Sequence, residues 1–413
     1  MLKNNITHIR SQFPILHQEV NGKPLVYFDN AATTQKPKQV IDALQRYYEL
    51  DNANIHRAAH TLASRSTDYF EATRKTIQQF INAKEEAECI FTKGVTEGIN
   101  LVAQTWGRAN LKAGDEVLIT TMEHHSNIVP WQMICEEKGA TLKVIPINDA
   151  GELLMDEFDQ LLSTQTKIVA CVWVSNALGT INPVEEIIQK AHAVGAKVLL
   201  DGAQACSHMP VDVQVLDCDF LTISSHKLYG PTGVGVLYGK RELLDAMPPY
   251  HGGGEMIKEV TFEKTTYNEI PYKFEAGTPN IGDVIAFKYA LDYVNELGKE
   301  NIAAHENQLL KHFVEGISQI NQTNNNAITL VGTAKNKVSV QSFTINNMHH
   351  FDVGMMLDAK GIAVRTGHHC TQPLMQRFKL EGTIRASFAL YNTTQEVDIL
   401  LQALSSIVKF SNR

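Results

Sequence analysis

The sequence predicts an α/β fold in which a mostly parallel sheet carries helices on both faces. Three observations predict it: seven short and almost wholly apolar runs, helix-length segments between most of them, and one connection too short for a helix. Strands buried on both faces of a parallel sheet have this uniformly apolar composition. The runs cover residues 89–92, 116–120, 141–147, 167–174, 197–200, 219–224 and 233–238.

Strand–helix alternation indicates βαβ units and therefore a doubly wound domain. Helical patterns lie between the strands, for example at residues 129–138, 155–163 and 184–194. The exception is the connection from Ser224 to Gly233, which has only eight residues. A parallel crossover needs about a dozen. The last two strands are therefore predicted to be antiparallel or not adjacent.

The pattern changes after Asp283, where a smaller α+β domain is predicted. Its helical patterns cover residues 287–297, 302–317, 352–360 and 394–408, and its strand-like runs cover 328–331, 338–345 and 384–388. The first 20 residues are predicted to form a helix that packs on this domain. We therefore assign residues 21–293 to a large ligand-binding domain, and residues 1–20 and 294–413 to a small domain.

Composition favours an enzyme that acts on small molecules. Lys plus Arg number 37 and Asp plus Glu 45, so the net charge is −8, which argues against a nucleic-acid partner. No apolar run approaches the ~18 residues of a membrane helix, and the N-terminus lacks the apolar core of a signal peptide. Six cysteines without a C-x-x-C pair predict free thiols and no structural metal. We expect a cytoplasmic protein with no membrane partner.

Lys227 is the first candidate for chemistry, because it follows a predicted strand in SSHKLYGPTG. Such a lysine can form a Schiff base with an aldehyde cofactor, although most lysines are simply solvated. Asp201 favours the first interpretation, because it ends the run VLLD 26 residues earlier, where α/β proteins bind ligands. Pyridoxal phosphate needs a carboxylate for its ring nitrogen. The alternative for Asp201 is a turn or a helix N-cap.

A phosphate group would need a site of its own. The segment TKGVTEGIN leaves a strand, turns at Gly94 and enters a helix, so backbone N–H groups and the Thr96 hydroxyl can bind an anion. Ser224 and His226 can complete that site. The segment matches no P-loop or dinucleotide motif, so alone it is weak evidence.

Two further candidates are an imidazole and a thiol. His124 follows the strand at 116–120 and can stack on a flat cofactor ring; the alternatives are a metal ligand or a buried structural histidine. Cys370 lies in a loop after His368 and His369, where a thiolate nucleophile is possible. Its alternatives are an inert thiol or a zinc site, and the latter is disfavoured because adjacent residues converge poorly on a tetrahedral metal.

Four motifs together carry a resemblance that spans the chain from Leu25 to Thr393. VLLDGAQA, SSHKLYGPTG, EAGTPN and RTGHHCTQP, in this order, resemble the class V aminotransferase family and, more narrowly, its SUF-type cysteine desulfurases. The resemblance implies the fold-type I architecture of pyridoxal-phosphate enzymes, with a seven-stranded sheet in the large domain. It also implies a homodimer whose active sites are shared between subunits.

The resemblance also implies a role for each candidate residue. Lys227 would hold pyridoxal 5'-phosphate and act as general acid and base, and Cys370 would be the sulfur acceptor. Around the cofactor ring, Asp201 would contact the ring nitrogen, Gln204 would contact the ring hydroxyl, and His124 would stack on the ring and take part in catalysis. Asn176 would also bind the cofactor. The phosphate would be bound by Thr96, Ser224, His226 and the neighbouring subunit's Thr278. Arg385, Asn176 and His56 would bind the substrate. The chain departs from the usual pattern at Val95, Ser225 and Thr371, and none of these removes a chemical role.

The implied reaction converts L-cysteine to L-alanine and leaves a persulfide on Cys370, which passes to an acceptor protein of the SufE or SufU type for iron–sulfur cluster assembly. Selenocysteine lyase activity is the nearest alternative, since it uses the same cofactor machinery. An ordinary aminotransferase is a further alternative, but it would not require a cysteine at the position of Cys370. A non-catalytic scaffold for cluster assembly would not need Lys227, Asp201 and Cys370 together.

Overall fold

The computed structural model describes residues 5–411, and its centre is the predicted mostly parallel sheet. Its strands are β1 (Cys89–Thr92), β2 (Glu116–Thr120), β3 (Thr141–Ile145), β4 (Thr166–Val172), β5 (Lys197–Asp201), β6 (Phe220–Ser224) and β7 (Gly235–Gly239). They lie side by side in the order β1-β7-β6-β5-β4-β2-β3, and β7 is antiparallel to both of its neighbours while the others run parallel. The seven predicted strands are confirmed, and so is the antiparallel pairing across the short connection.

The sheet is buried between helices, as the apolar runs indicated. Every residue of β1, β6 and β7 is buried. A Cβ at Gly235 would lie 2.4 Å from the Cα of Gly94, so the glycine at the start of β7 allows this strand to approach the loop that follows β1. The helices of this region are Lys38–Arg46, Thr61–Phe80, Val95–Val102, Arg108–Asn110, Val129–Lys138, Met155–Leu161, Val184–Ala193, Ala205–His208, Val213–Leu216, Arg241–Ala246 and Ile281–Leu297. Within residues 5–411, no helix has the length and apolar character that crossing a membrane requires.

The C-terminal region is an antiparallel sheet covered by helices. Its strands are β8 (Ile328–Val331), β9 (Val340–Ile345), β10 (Arg365–Gly367) and β11 (Thr383–Ser387), and they lie in the order β8-β9-β11-β10. Its helices are Lys299–Thr323, His350–Asp358, Gln372–Phe378 and Thr394–Ser411. Phe313, Phe343 and Phe388 belong to a core cluster separate from that of the large sheet. The strand β10 was not predicted, because its sequence RTG is short and not apolar.

Three short strand pairs lie outside the two sheets. The strand Val26–Tyr27 pairs in parallel with Ile362–Ala363, and the strand Glu19–Val20 forms a hairpin with Lys23–Pro24. A second hairpin pairs Ile257–Val260 with Thr265–Tyr267. The first of these pairings carries the segment that follows Tyr27 from the small region into the site described below.

The N-terminal segment differs from its prediction. The first four residues lie outside the described part, and the helix covers only Ile6–Ser11, so the prediction of one helix through residue 20 is wrong. The reason is Pro14, which disfavours a helical conformation for Phe13 (φ −111°, ψ 89°). The Phe13 ring packs 4.7 Å from that of Tyr391 and 6.3 Å from that of Tyr229, so this segment contacts both regions. The division at residues 20/21 and 293/294 stays a prediction.

Candidate active site

A cavity of about 190 Å³ lies where the large sheet meets the C-terminal region. It opens at the carboxyl ends of β2, β4, β5 and β6, the edge at which α/β sheets bind ligands. All but two of the predicted site residues line it. The ten that line it are Thr96, His124, Asn176, Asp201, Gln204, Ser224, His226, Lys227, Cys370 and Arg385.

Lys227 is held in a turn directly after β6, and its half-buried side chain lines the cavity. It ends the 3₁₀ turn Ser225–Lys227, whose His226 carbonyl accepts hydrogen bonds from the Thr34 backbone N–H (3.0 Å) and from Lys36 Nζ (3.0 Å). Burial lowers the pKa of Lys227 to about 8, against the opposing effect of Asp201. A substantial fraction of the amine is therefore neutral near physiological pH, as a nucleophile or proton acceptor requires.

Asp201 is the buried last residue of β5. One of its carboxylate oxygens accepts the backbone N–H of Ala203 at 2.9 Å. Burial raises its pKa, while that hydrogen bond and Lys227 act in the opposite direction. Gln204, in the same loop, donates its side-chain amide to the Ala31 carbonyl at 2.7 Å. The side chain of each residue borders the cavity.

His124 is a neutral ring at the wall of the cavity. Its Nδ1 accepts the backbone N–H of Ser126 at 3.1 Å, so the ring proton is on Nε2. Burial, reinforced by Lys227, lowers the pKa of His124 to about 3. A neutral imidazole can stack on an aromatic ring without bringing a second positive charge close to Lys227.

A candidate anion site lies at the start of the helix Val95–Val102. Ser224 Oγ accepts the Val95 backbone N–H at 3.1 Å, and Thr96 and His226 line the same cavity. Burial, with Lys227 second, lowers the pKa of His226 to about 4. Gly94 precedes the helix with φ 148°, a conformation that residues with a side chain rarely adopt. Helix N–H groups, hydroxyls and a neutral imidazole suit a phosphate.

Arg385 and Asn176 form the opposite wall. Arg385 donates Nη1 to the Asn176 carbonyl at 2.9 Å, and its Nη2 lies 3.2 Å from Asp29 Oδ1. Arg385 Nε and Asn176 Oδ1 are buried without a hydrogen-bond partner. Burial lowers the pKa of Arg385 to about 10, so it remains charged at neutral pH. A guanidinium at the cavity wall suits the carboxylate of an α-amino acid.

Cys370 reaches the cavity from a loop of unusual backbone conformation. His369 and Cys370 have φ values of 52° and 58°, in the left-handed region that residues with a side chain seldom occupy. The loop follows β10 and precedes the helix Gln372–Phe378. The predicted thiol and the predicted amine of Lys227 therefore border one cavity, although they are 143 residues apart in sequence.

His56 and Thr278 do not line this cavity. His56 Nε2 lies 2.9 Å from Glu71 Oε1, and Thr278 borders a separate depression of about 180 Å³ with Tyr250 and Asn280. The predicted role of Thr278 requires a neighbouring subunit, so its place outside the cavity of its own chain is compatible with that role. The roles of both residues stay predictions.

Sequence reasoning missed several residues of the cavity. Arg365 and His369 line it and were quoted only as neighbours of Cys370, while Ala31 and Ala32 come from the segment LVYFDNAATTQKP. Asp29, in the same segment, pairs with Arg385. The small and polar residues of this segment, which follow a short strand, could have indicated that it borders a site. They do not indicate which distant residue the segment contacts.

The cavity fits the predicted pyridoxal phosphate. Lys227 offers the amine for its aldehyde, Asp201 a carboxylate for its ring nitrogen, and the start of the helix Val95–Val102 an anion site for its phosphate. His124 offers a flat neutral ring. The aldehyde, the ring nitrogen, the ring face and the phosphate of the cofactor thus each have a matching group in the wall.

Comparison with known proteins identifies the family. The sequence pattern of the family described as "Aminotransferase class-V" matches residues 26–400. The chain is 54% identical over 403 residues to the cysteine desulfurase of Synechococcus elongatus, covering 98% of this chain but 64% of that protein. It is 50% identical to a probable cysteine desulfurase of Synechocystis, covering 97% of this chain and 95% of that protein.

A solved structure agrees with the fold. The cysteine desulfurase CsdA (S-sulfonic acid) from Escherichia coli superposes with a TM-score of 0.91 at 38% identity, covering 98% of this chain and 99% of that chain. The fold is therefore the fold-type I architecture that the resemblance implied. The chain belongs to the aminotransferase class-V family, and its cofactor is pyridoxal 5'-phosphate.

Proposed function

We propose that this protein is a cysteine desulfurase that converts L-cysteine to L-alanine and retains the sulfur as a persulfide on Cys370. The observation that carries the proposal is that Cys370 borders the same cavity as Lys227 and Asp201. Transamination needs the amine and the carboxylate but no thiol. The names of the relatives support the same reaction.

The sheet side of the cavity performs the proton transfers. When bound, pyridoxal phosphate withdraws electrons from the substrate Cα, and this makes the Cα proton acidic. Lys227 Nζ removes that proton, because burial keeps part of the amine neutral. Asp201 holds the proton on the ring nitrogen, and the buried position of its carboxylate makes this charge pairing strong.

The opposite side of the cavity orients the substrate. The guanidinium of Arg385, which lines the cavity, binds the α-carboxylate, and Asn176 lies next to it at the same wall. The pairing of Arg385 with Asp29 fixes the guanidinium plane. The substrate side chain then points to the wall that carries Cys370.

Cys370 takes the sulfur. Its thiolate attacks the substrate sulfur, so that an S–S bond forms as the Cβ–S bond breaks, and the electron pair of the broken bond remains on the carbon. The three-carbon product gains one proton at Cβ, regains the Cα proton from Lys227 and leaves as alanine. The balance is L-cysteine plus enzyme thiol giving L-alanine plus enzyme persulfide, and no external oxidant or reductant is consumed.

The finer assignments belong to the same proposal. The persulfide passes to an acceptor protein of the SufE or SufU type in the SUF pathway of iron–sulfur cluster assembly, in the cytoplasm. The enzyme is a homodimer in which Thr278 of each chain reaches the phosphate site of the other. Light scattering tests the dimer, and a fully active monomer would contradict the shared site.

The test of the reaction is alanine and sulfide formation from L-cysteine with a reductant. We expect Cys370→Ala to keep the visible absorbance of the cofactor and to exchange the Cα proton of cysteine with solvent, but to form no alanine and no persulfide. Cys171→Ala is the matched control, because that thiol is fully buried and does not border the cavity. Undiminished alanine formation by Cys370→Ala would contradict the proposal, and activity on selenocysteine alone would indicate a selenocysteine lyase.

A further inference from the structure

The loop that carries Cys370 is joined to the large region by hydrogen bonds to one histidine. The backbone N–H of His125 donates to the Cys370 carbonyl at 2.8 Å, and His125 Nε2 accepts the backbone N–H of Gln372 at 3.1 Å. These bonds bracket Thr371, so His125 contacts the loop on both sides of the residue that follows the thiol. His125 belongs to the large region and Gln372 starts a helix of the small region.

The loop needs such contacts because its backbone is strained. Two consecutive residues, His369 and Cys370, occupy the left-handed region, which is energetically unfavourable for residues that carry a side chain. His368 satisfies the other polar group of Cys370, since its Nδ1 accepts the Cys370 N–H at 3.2 Å. Asn176 Nδ2 donates to the His369 carbonyl at 2.8 Å. The conformation of the thiol-bearing residue is therefore determined by groups around it.

His125 is also the next residue after His124, whose ring borders the cofactor cavity. Both rings belong to one short segment, which the bond from Ser126 N–H to His124 Nδ1 holds in place. Any displacement of this segment moves the cofactor-facing ring and the anchor of the Cys370 loop together. Because Gln372 N–H donates to it, His125 Nε2 is unprotonated, and the ring acts as a neutral acceptor.

We propose that His125 is a positioning residue for sulfur transfer. Its ring holds the Cys370 loop at a fixed position relative to His124 and the cofactor. This proposal rests on the proposed desulfurase function. His125 itself does not line the cavity, so its effect on the reaction passes through the loop.

The experiment compares two substitutions in the cofactor-loaded enzyme. His125→Leu removes the acceptor, whereas His125→Gln places an amide oxygen near the position of Nε2 and can still accept the Gln372 N–H. We expect His125→Leu to lower single-turnover alanine formation roughly five- to tenfold, the worth of one hydrogen bond. Solvent exchange of the Cα proton is expected to stay within about twofold of the unsubstituted enzyme. His125→Gln is expected to restore most of the lost rate.

A second measurement is independent of turnover. Hydrogen exchange of the Gln372 amide, read by mass spectrometry, is expected to accelerate at least about fivefold in His125→Leu and not in His125→Gln. His312→Leu is the matched control, since that ring contacts Asp398 away from the loop. An unchanged alanine rate in His125→Leu, a parallel fall of Cα exchange, or no rescue by His125→Gln would overturn the proposal. If the unsubstituted enzyme forms no alanine, the proposed function fails, and the amide exchange alone decides the positioning role.

Discussion

The two walls of the cavity are built in different ways. The sheet wall takes Asp201 and Ser224 from the ends of buried strands and Lys227 from the turn after one of them. The loop wall takes Arg385 from a strand of the small region and Cys370 from a loop. Strand ends are positioned by the ladder of the sheet. The loop wall is instead positioned by individual contacts that cross between the regions.

Those crossing contacts are polar and mostly buried. Arg385 donates to the Asn176 carbonyl, Asn176 donates to the His369 carbonyl, and Asp29 pairs with Arg385. Each bond links the small region, or the segment that enters from it, to the site. The sheet wall is therefore positioned by the sheet itself, while the position of Cys370 and Arg385 depends on how the two regions pack.

The largest effect is expected when the sheet wall is broken at Lys227. Lys227→Ala removes both the attachment point of the cofactor and the proton carrier, so turnover should fall at least about 10³-fold. The cofactor should still bind through the anion site at the helix Val95–Val102, which an absorbance titration can show. Lys75→Ala, at an exposed position of the helix Thr61–Phe80, is the control. Near-normal activity of Lys227→Ala would exclude this residue as the cofactor lysine.

Breaking the loop wall should affect substrate binding more than cofactor binding. In Arg385→Lys a single ammonium cannot reach both the Asn176 carbonyl and Asp29 while also facing the substrate. We expect kcat/KM for cysteine to fall about 10- to 100-fold, mainly through KM, with the cofactor absorbance unchanged. Arg365→Lys should cost less than about fivefold, because that side chain is 43% exposed. Equal losses in the two variants would show that Arg385 has no special role.

A pH series sharpens the description of the sheet wall. Burial lowers the pKa of Lys227 to about 8, so the amine is mostly neutral above that pH and mostly charged below it. Only the neutral amine attacks an aldehyde. The rate at which apo-protein takes up pyridoxal phosphate should therefore be about ten times higher at pH 9 than at pH 7 and should level off above pH 9. A rate that keeps rising toward pH 11 would show an ordinary exposed lysine.

Much of the sheet wall could be predicted because its signals are local. Asp201, Ser224 and Lys227 each lie at or just after an apolar run, and the carboxyl ends of parallel strands meet at one edge of a sheet. The seven strands and their antiparallel exception follow from run length and connection length. The prediction of an N-terminal helix through residue 20 was wrong because Pro14 disfavours a helical conformation for the residue before it, although the surrounding pattern is helical.

The sequence by itself determined the fold class, the family and the residues of the sheet wall, because periodicity and motif order are properties of neighbouring residues. Only the tertiary structure decided that Asp29 pairs with Arg385, that His125 holds the loop of Cys370, and that Thr278 lies outside the cavity of its own chain. These facts depend on contacts between segments up to 356 residues apart. A hydrogen bond between such segments produces no periodic pattern in the sequence, so it cannot be predicted from neighbouring residues. Its geometry is set by how the two regions pack.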